Sequence, residues 1–151
     1  MMAGSGDNTG SLQLLAADAE DLKVISAALQ DAVGALGDIR FEKGPRRLTV
    51  AFNRFRWEMG AKRGGERVRS ALQLGGVLDV KSKKLRQDAP KAVVSLLAVG
   101  FEPDEAPGGT VVFSFAGGGQ LRATVECLDV VLADLSRPWP TRNRPAHDLN
   151  S

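Results

Sequence analysis

From residue 38 to residue 135 the apolar side chains of this chain recur mostly at every second position, not every third or fourth. That period belongs to strands, whose side chains alternate between two faces. One stretch departs from it. Leu22, Ile25, Leu29 and Ala32 fall at helical spacing, Asp18 is placed to cap the first turn, and Asp21 adds negative charge there. With Gly34 as the stop, the spacing predicts a helix over residues 18–33. A short extended segment, residues 12–15, precedes it.

The strand pattern is irregular, and its irregularities carry information. Residues 38–42 form a short strand candidate, and Gly44-Pro45 turns the chain. Leu48, Val50 and Phe52 then share one face. After Asn53 the phase flips: Phe55, Trp57 and Met59 become the apolar set, opposite Arg54, Arg56 and Glu58. Such a flip predicts a bulge or a sharp bend. Val68, Leu72, Leu74, Leu78 and Val80 keep one phase through Gly75-Gly76, which favours one long bent strand, or two strands in line, over a Gly-Gly hairpin.

Residues 92–101 are apolar on both faces and read as a central strand, with a short buried helix as the alternative. Residues 110–116 and the segment from Gln120 form a hairpin around Gly117, Gly118 and Gly119. Leu121, Ala123, Val125 and Cys127 then share a face. A second shift, to Leu128, Val130 and Leu132, is read as a bulged strand, with a helix over residues 128–135 as the alternative. The expected fold class is α+β, mainly β: a curved antiparallel sheet or partly closed barrel with one N-terminal helix.

The ends are poor in apolar side chains, so the chain divides into a flexible segment (1–11), a single globular domain (12–135) and a Pro-rich tail (136–151). Trp139, between Pro138 and Pro140 in that tail, is expected to pack back on the body. A single cysteine excludes an intrachain disulfide. With no basic and then apolar N-terminal segment and no run long enough to span a bilayer, a cytoplasmic protein without membrane contact is expected.

Charge is distributed unevenly. Residues 40–91 hold fifteen of the twenty Lys and Arg and five of the eighteen Asp and Glu, a local balance of +10 against −8 for the remainder. The alternation places Arg54 and Arg56 opposite Phe55 and Trp57, and Arg67 and Arg69 opposite Val68. Residues 81–90 read as a basic loop, so if these strands are neighbours, four guanidiniums share one exposed face, flanked by loop cations that include Lys81 and Lys83. Two readings stand. The face of Arg54, Arg56, Arg67, Arg69, Lys81 and Lys83 binds an anion, or it is a solvated face that guards against edge pairing. As a binding face its partner is an acidic protein, or the acidic region around Glu102 and Glu105 of a second copy through self-association. The alternative partner is nucleic acid. Phe52, Phe55 and Trp57 resemble a stacking platform, but strand geometry assigns them to the core.

Chemistry-bearing groups are scarce. His147 is the only histidine and lies in the tail. Cys127, in phase with Val125, reads as a buried packing residue that resists thiol reagents. No spacing suggests a metal site, a cofactor or a carboxylate pair, and enzymatic activity is the minority reading. The three glycines at residues 117–119 precede a strand, not a helix, so they make a turn and not a phosphate cradle.

Finally, NRFRWE (residues 53–58), VLDVKSKKL (77–85), the long run SLLAVGFEPDEAPGGTVVFSFAGGGQLRATVECLDVVLADL (95–135) and PWPTRNRPAHD (138–148) resemble a small family of uncharacterised proteobacterial proteins catalogued as a domain of unknown function. The resemblance implies one intact domain of a bacterial cytoplasmic protein. It implies no activity, ligand or site residue.

Overall fold

The computed structural model describes residues 11–59, 65–86 and 88–141. The elements are β1 (Gln13–Ala16), α1 (Ala19–Ala28), β2 (Val33–Ala35), β3 (Ile39–Glu42), β4 (Arg47–Phe55), β5 (Glu66–Leu74), β6 (Val77–Lys83), β7 (Val93–Pro103), β8 (Gly109–Phe115), β9 (Gln120–Val125), β10 (Val130–Asp134) and β11 (Trp139–Pro140). Short 3-10 turns cover Leu36–Asp38 and Trp57–Met59. The fold is mainly β with one α-helix, as the alternation implied.

The strands form one antiparallel sheet in the order β1-β10-β5-β4-β2-β7-β8-β9-β6, with β3 pairing β4 and β11 pairing β5. The sheet curves over on itself without closing. Leu48, Val50, Leu72 and Leu132 from one half meet Val99, Phe113, Leu121 and Ala123 from the other in a single core. Leu22 and Ile25 of α1, with Leu29 at its C-cap, complete it, none more than 2% exposed. Burying each is worth about 1.5–3 kcal/mol.

The helix starts as its sequence requires: the Asp21 N–H donates to the Asp18 carboxylate at 2.8 Å. It ends earlier than residue 33. Asp31 takes the left-handed conformation (φ 62), turns the chain, and donates its N–H to Leu96 O at 2.8 Å. Gly34 therefore lies in β2, not at a helix stop. There a Cβ would come within 2.9 Å of Ala51 O.

The structure decides four further expectations. β5 and β6 pair with different strands, so Gly75-Gly76 joins two strands and makes no hairpin. Leu78, expected in the apolar set, is 51% exposed, because it sits at an irregularity in the β6–β9 register. The segment after Val125 is a bend followed by β10, so strand is the correct reading of residues 130–134. Cys127 falls in that bend and is exposed, contrary to its expected burial, because strand alternation stops two residues before it.

Candidate ligand cleft and the arginine network

β4 keeps its phase one residue further than the sequence suggested. Leu48, Val50, Phe52 and Arg54 all point inward, opposite Leu74, Leu72, Ser70 and Val68 of β5. Ser70 in turn faces Asp134 of β10. The inner face of the sheet thus ends in a polar patch. Arg54 is fully buried, and its five N–H donors all find acceptors. Nε and Nη2 bond Asp134 Oδ1 and Oδ2, both at 2.9 Å. Nη1 and Nη2 bond Glu58 Oε1 and Oε2 at 2.9 and 2.7 Å, and Nη1 also reaches Phe55 O. Asp134 accepts two more bonds, from Ser70 Oγ at 2.6 Å and from the Leu12 N–H at 2.9 Å.

Burial alone would make the Arg54 guanidinium easier to deprotonate, but the bonds to Glu58 and Asp134 outweigh it and hold its pKa above the ordinary value. Burial would likewise push both carboxylates up. The hydrogen bonds and charge of Arg54 instead hold Asp134 and Glu58 below the usual carboxylate range, with Ser70 and the Leu12 N–H assisting at Asp134. Every strong donor here already has its acceptor. The network ties the strand ends of β4, β5 and β10 to the chain just before β1.

The shared exposed face of four arginines is therefore not present. Arg54 is buried, and Arg56, 4% exposed, pairs with Glu66. The physical reason is that Phe55, not Arg54, occupies the outer face. Its ring lies 4.6 Å from that of Trp57 and is capped by the Arg67 guanidinium at 5.9 Å. Gly65 packs so closely that a Cβ there would meet the Phe55 ring at 2.3 Å. Phe52 and Phe55 are fully buried, so neither presents a stacking surface.

Arg67 and Arg69 do lie together on the outer face of β5, but both are engaged. Arg67 donates to Asn53 O at 3.1 Å, and burial lowers its pKa against the opposing charge of Asp31. Arg69 bonds Asn53 Oδ1 at 3.3 Å and Asp38 Oδ2 at 3.0 Å. Trp139, 38% exposed, pairs with Arg67 through β11.

Lys81 and Lys83 differ from these arginines. Contrary to the loop expected from residue 81, they lie exposed on β6, because its pairing with β9 carries the strand on to Lys83; among the described residues β6 pairs with β9 alone. Across from it, β3 pairs with β4 alone among the described residues. Between the two edges lies a cleft of about 420 Å³ lined by Ile39, Phe41, Val80, Ser82, Leu85 and Leu121, among others. Backbone bonds tie both its ends: the Val77 N–H to Arg46 O at 2.8 Å, and the Gly37 N–H to Pro90 O at 2.8 Å. Side chains alternate along each edge, so lining residues face in while Arg40 of β3 and Lys81 and Lys83 of β6 face out. These three cations are exposed and make no ion pair among the described residues. Arg40 also borders a shallow polar groove of about 500 Å³ on the outer face, where Arg47 holds Glu42 at 3.1 Å.

No local pattern announces this cleft, because it depends on which strands fail to pair. Among the described residues no cluster of three His, Cys, Asp or Glu could hold a metal ion, and no helix is long and apolar enough to cross a membrane. His147 lies outside the described residues.

Fold and site together define a mainly β protein with an open apolar cleft and a cationic mouth. Within that class, the chain belongs to the family described as "Protein of unknown function (DUF2948)", whose model matches residues 12–147. Comparison with curated proteins and with solved structures gives no match.

Proposed function

We propose that this protein is a non-enzymatic binding module that takes an acidic partner at the mouth of the β3–β6 cleft. The observation that carries this reading is the contrast among its cations. Arg54, Arg56, Arg67 and Arg69 are engaged within the fold, whereas Arg40, Lys81 and Lys83 stand exposed beside an apolar opening. Solvated cations next to apolar surface favour a ligand that brings a negative charge to that rim. The buried Asp134 and the part-exposed Glu58 are both held by Arg54 and are poorly suited to acid–base chemistry. Nucleic acid is the weaker partner, since the buried Phe52 and Phe55 remove the stacking surface that single strands use.

Fluorescence anisotropy with a labelled glutamate-rich peptide and a labelled oligonucleotide tests the reading. The native protein should bind the peptide with an affinity that falls as salt rises. Arg40→Ser, Lys81→Ser and Lys83→Ser combined should lose at least tenfold while melting normally. Equal binding by the two proteins refutes the reading, and a preference for the oligonucleotide makes the partner nucleic acid.

A further inference from the structure

Resting on that reading, we infer that the β3–β6 cleft binds a single-chain amphiphilic anion, a carboxylate or phosphate carried on an unbranched hydrocarbon chain. Free strand edges generally invite another strand. Here the ties at Val77–Arg46 and Gly37–Pro90 bind the cleft at both ends, so an incoming strand has no continuous path through it. Along β3 the ties run from Gly37 to Arg46, at most roughly 30 Å of extended chain at about 3.3 Å per residue. The occupant is therefore slender and no longer than that.

Its chemistry follows from the lining. Ile39, Phe41, Val80, Leu85 and Leu121 are apolar, and Ser82 is the polar side chain among them. The volume of about 420 Å³ falls in the range of small-molecule sites, which combine apolar walls with a few polar groups. A wholly apolar ligand would leave the rim unexplained, because Arg40, Lys81 and Lys83 alternate with the lining residues on both edges. An anion without a chain would leave the cleft unfilled. A chain in the cleft with its acid at the rim satisfies both.

Titration calorimetry below the micellar concentration tests this with dodecanoate, butanoate and dodecyltrimethylammonium as probes. Dodecanoate should bind. Butanoate should bind at least a hundredfold more weakly, since apolar burial scales with methylene count. The cationic amphiphile should bind at least tenfold more weakly than dodecanoate. Lys81→Ser with Lys83→Ser, both at exposed positions, should weaken dodecanoate about tenfold. Val80→Asp, on the half-buried wall, should abolish binding without lowering the melting temperature by more than a few degrees. If butanoate and dodecanoate bind alike, the chain inference is overturned while the acid-binding reading stands. If the two amphiphiles bind alike and the lysine change has no effect, both are overturned. Failure of dodecanoate to bind the native protein overturns the inference even if Val80→Asp does not fold.

Discussion

Replacing Arg54 with Met separates the two descriptions of this residue by several kilocalories. On an exposed strand face the loss of a guanidinium costs about 0–1 kcal/mol. In the fold it removes the one cation bonded to Asp134 among the described residues, a carboxylate whose side chain is 2% exposed. That charge would keep two donors, Ser70 Oγ and the Leu12 N–H, but lose its counter-ion. Removing one partner of a buried pair costs about 3–5 kcal/mol. Glu58, one-third exposed, can rehydrate and adds little. For a chain of this size each kcal/mol moves the melting temperature about 2–4 °C, so a fall of about 6–20 °C is expected. Urea denaturation read by linear extrapolation measures the same quantity. A second variant sharpens the test. Arg54→Met with Asp134→Leu removes both charges, and buried pairs replaced by apolar groups are often neutral. It leaves the Leu12 N–H and the Ser70 hydroxyl without their acceptor, at about 1–3 kcal/mol each. Adding Ser70→Ala removes the second of these, so the triple variant should be more stable than Arg54→Met alone. A loss below about 1 kcal/mol in Arg54→Met, or a triple variant less stable than it, would refute the buried-pair argument.

The same network sets a pH dependence. Folded Asp134 and Glu58 titrate below their ordinary range, so their contribution is complete above the unfolded values near 4 and is lost as pH falls through the lower folded ones. Melting temperature should fall steeply below about pH 4 and less steeply in Arg54→Met; equal slopes would show that the pair does not govern acid stability. Cys127 is exposed, so a thiol reagent should label it fully in the native protein, and Cys127→Ala should change stability by less than about 0.5 kcal/mol. Labelling that waits for unfolding would return it to the core.

What the sequence made legible was local and periodic. The Asp18 cap, the hairpin at Gly117 and Gly118, and the mainly β class all follow from rules that act within a few residues. The error at Arg54 arose from treating apolar character as a proxy for the inward face. Phe55 is buried on the outer side because Trp57, Arg67 and Gly65 cover it, and the last two lie ten or more residues further along the chain. Asp134 lies 80 residues from Arg54 in sequence, so no local pattern could announce their pairing. The same holds for Cys127, whose alternation with Val125 was real until the strand ended. The cleft was least legible of all, since two unpaired edges are a property of topology.

A usable distinction nevertheless lay in the sequence. The +10 of residues 40–91 pools two kinds of cation. Arg46, Arg47, Arg54, Arg56 and Arg69 all hold carboxylates in the fold. Such roles suit a planar guanidinium, which can bridge two acceptors and is less strongly hydrated than an ammonium. The cations of β6 are lysines, compact and strongly hydrated, and they remain in solvent. Among the described residues, subtracting the fold's own ion pairs moves the centre of free positive charge away from the β4–β5 face. It falls instead at the edge where β6 faces β3 across the cleft. A net charge counted along the chain overstates the basic face around Arg54 and understates the edge. The binding surface is better sought where lysines alternate with apolar residues on an unpaired strand, as Val80 to Lys83 do here.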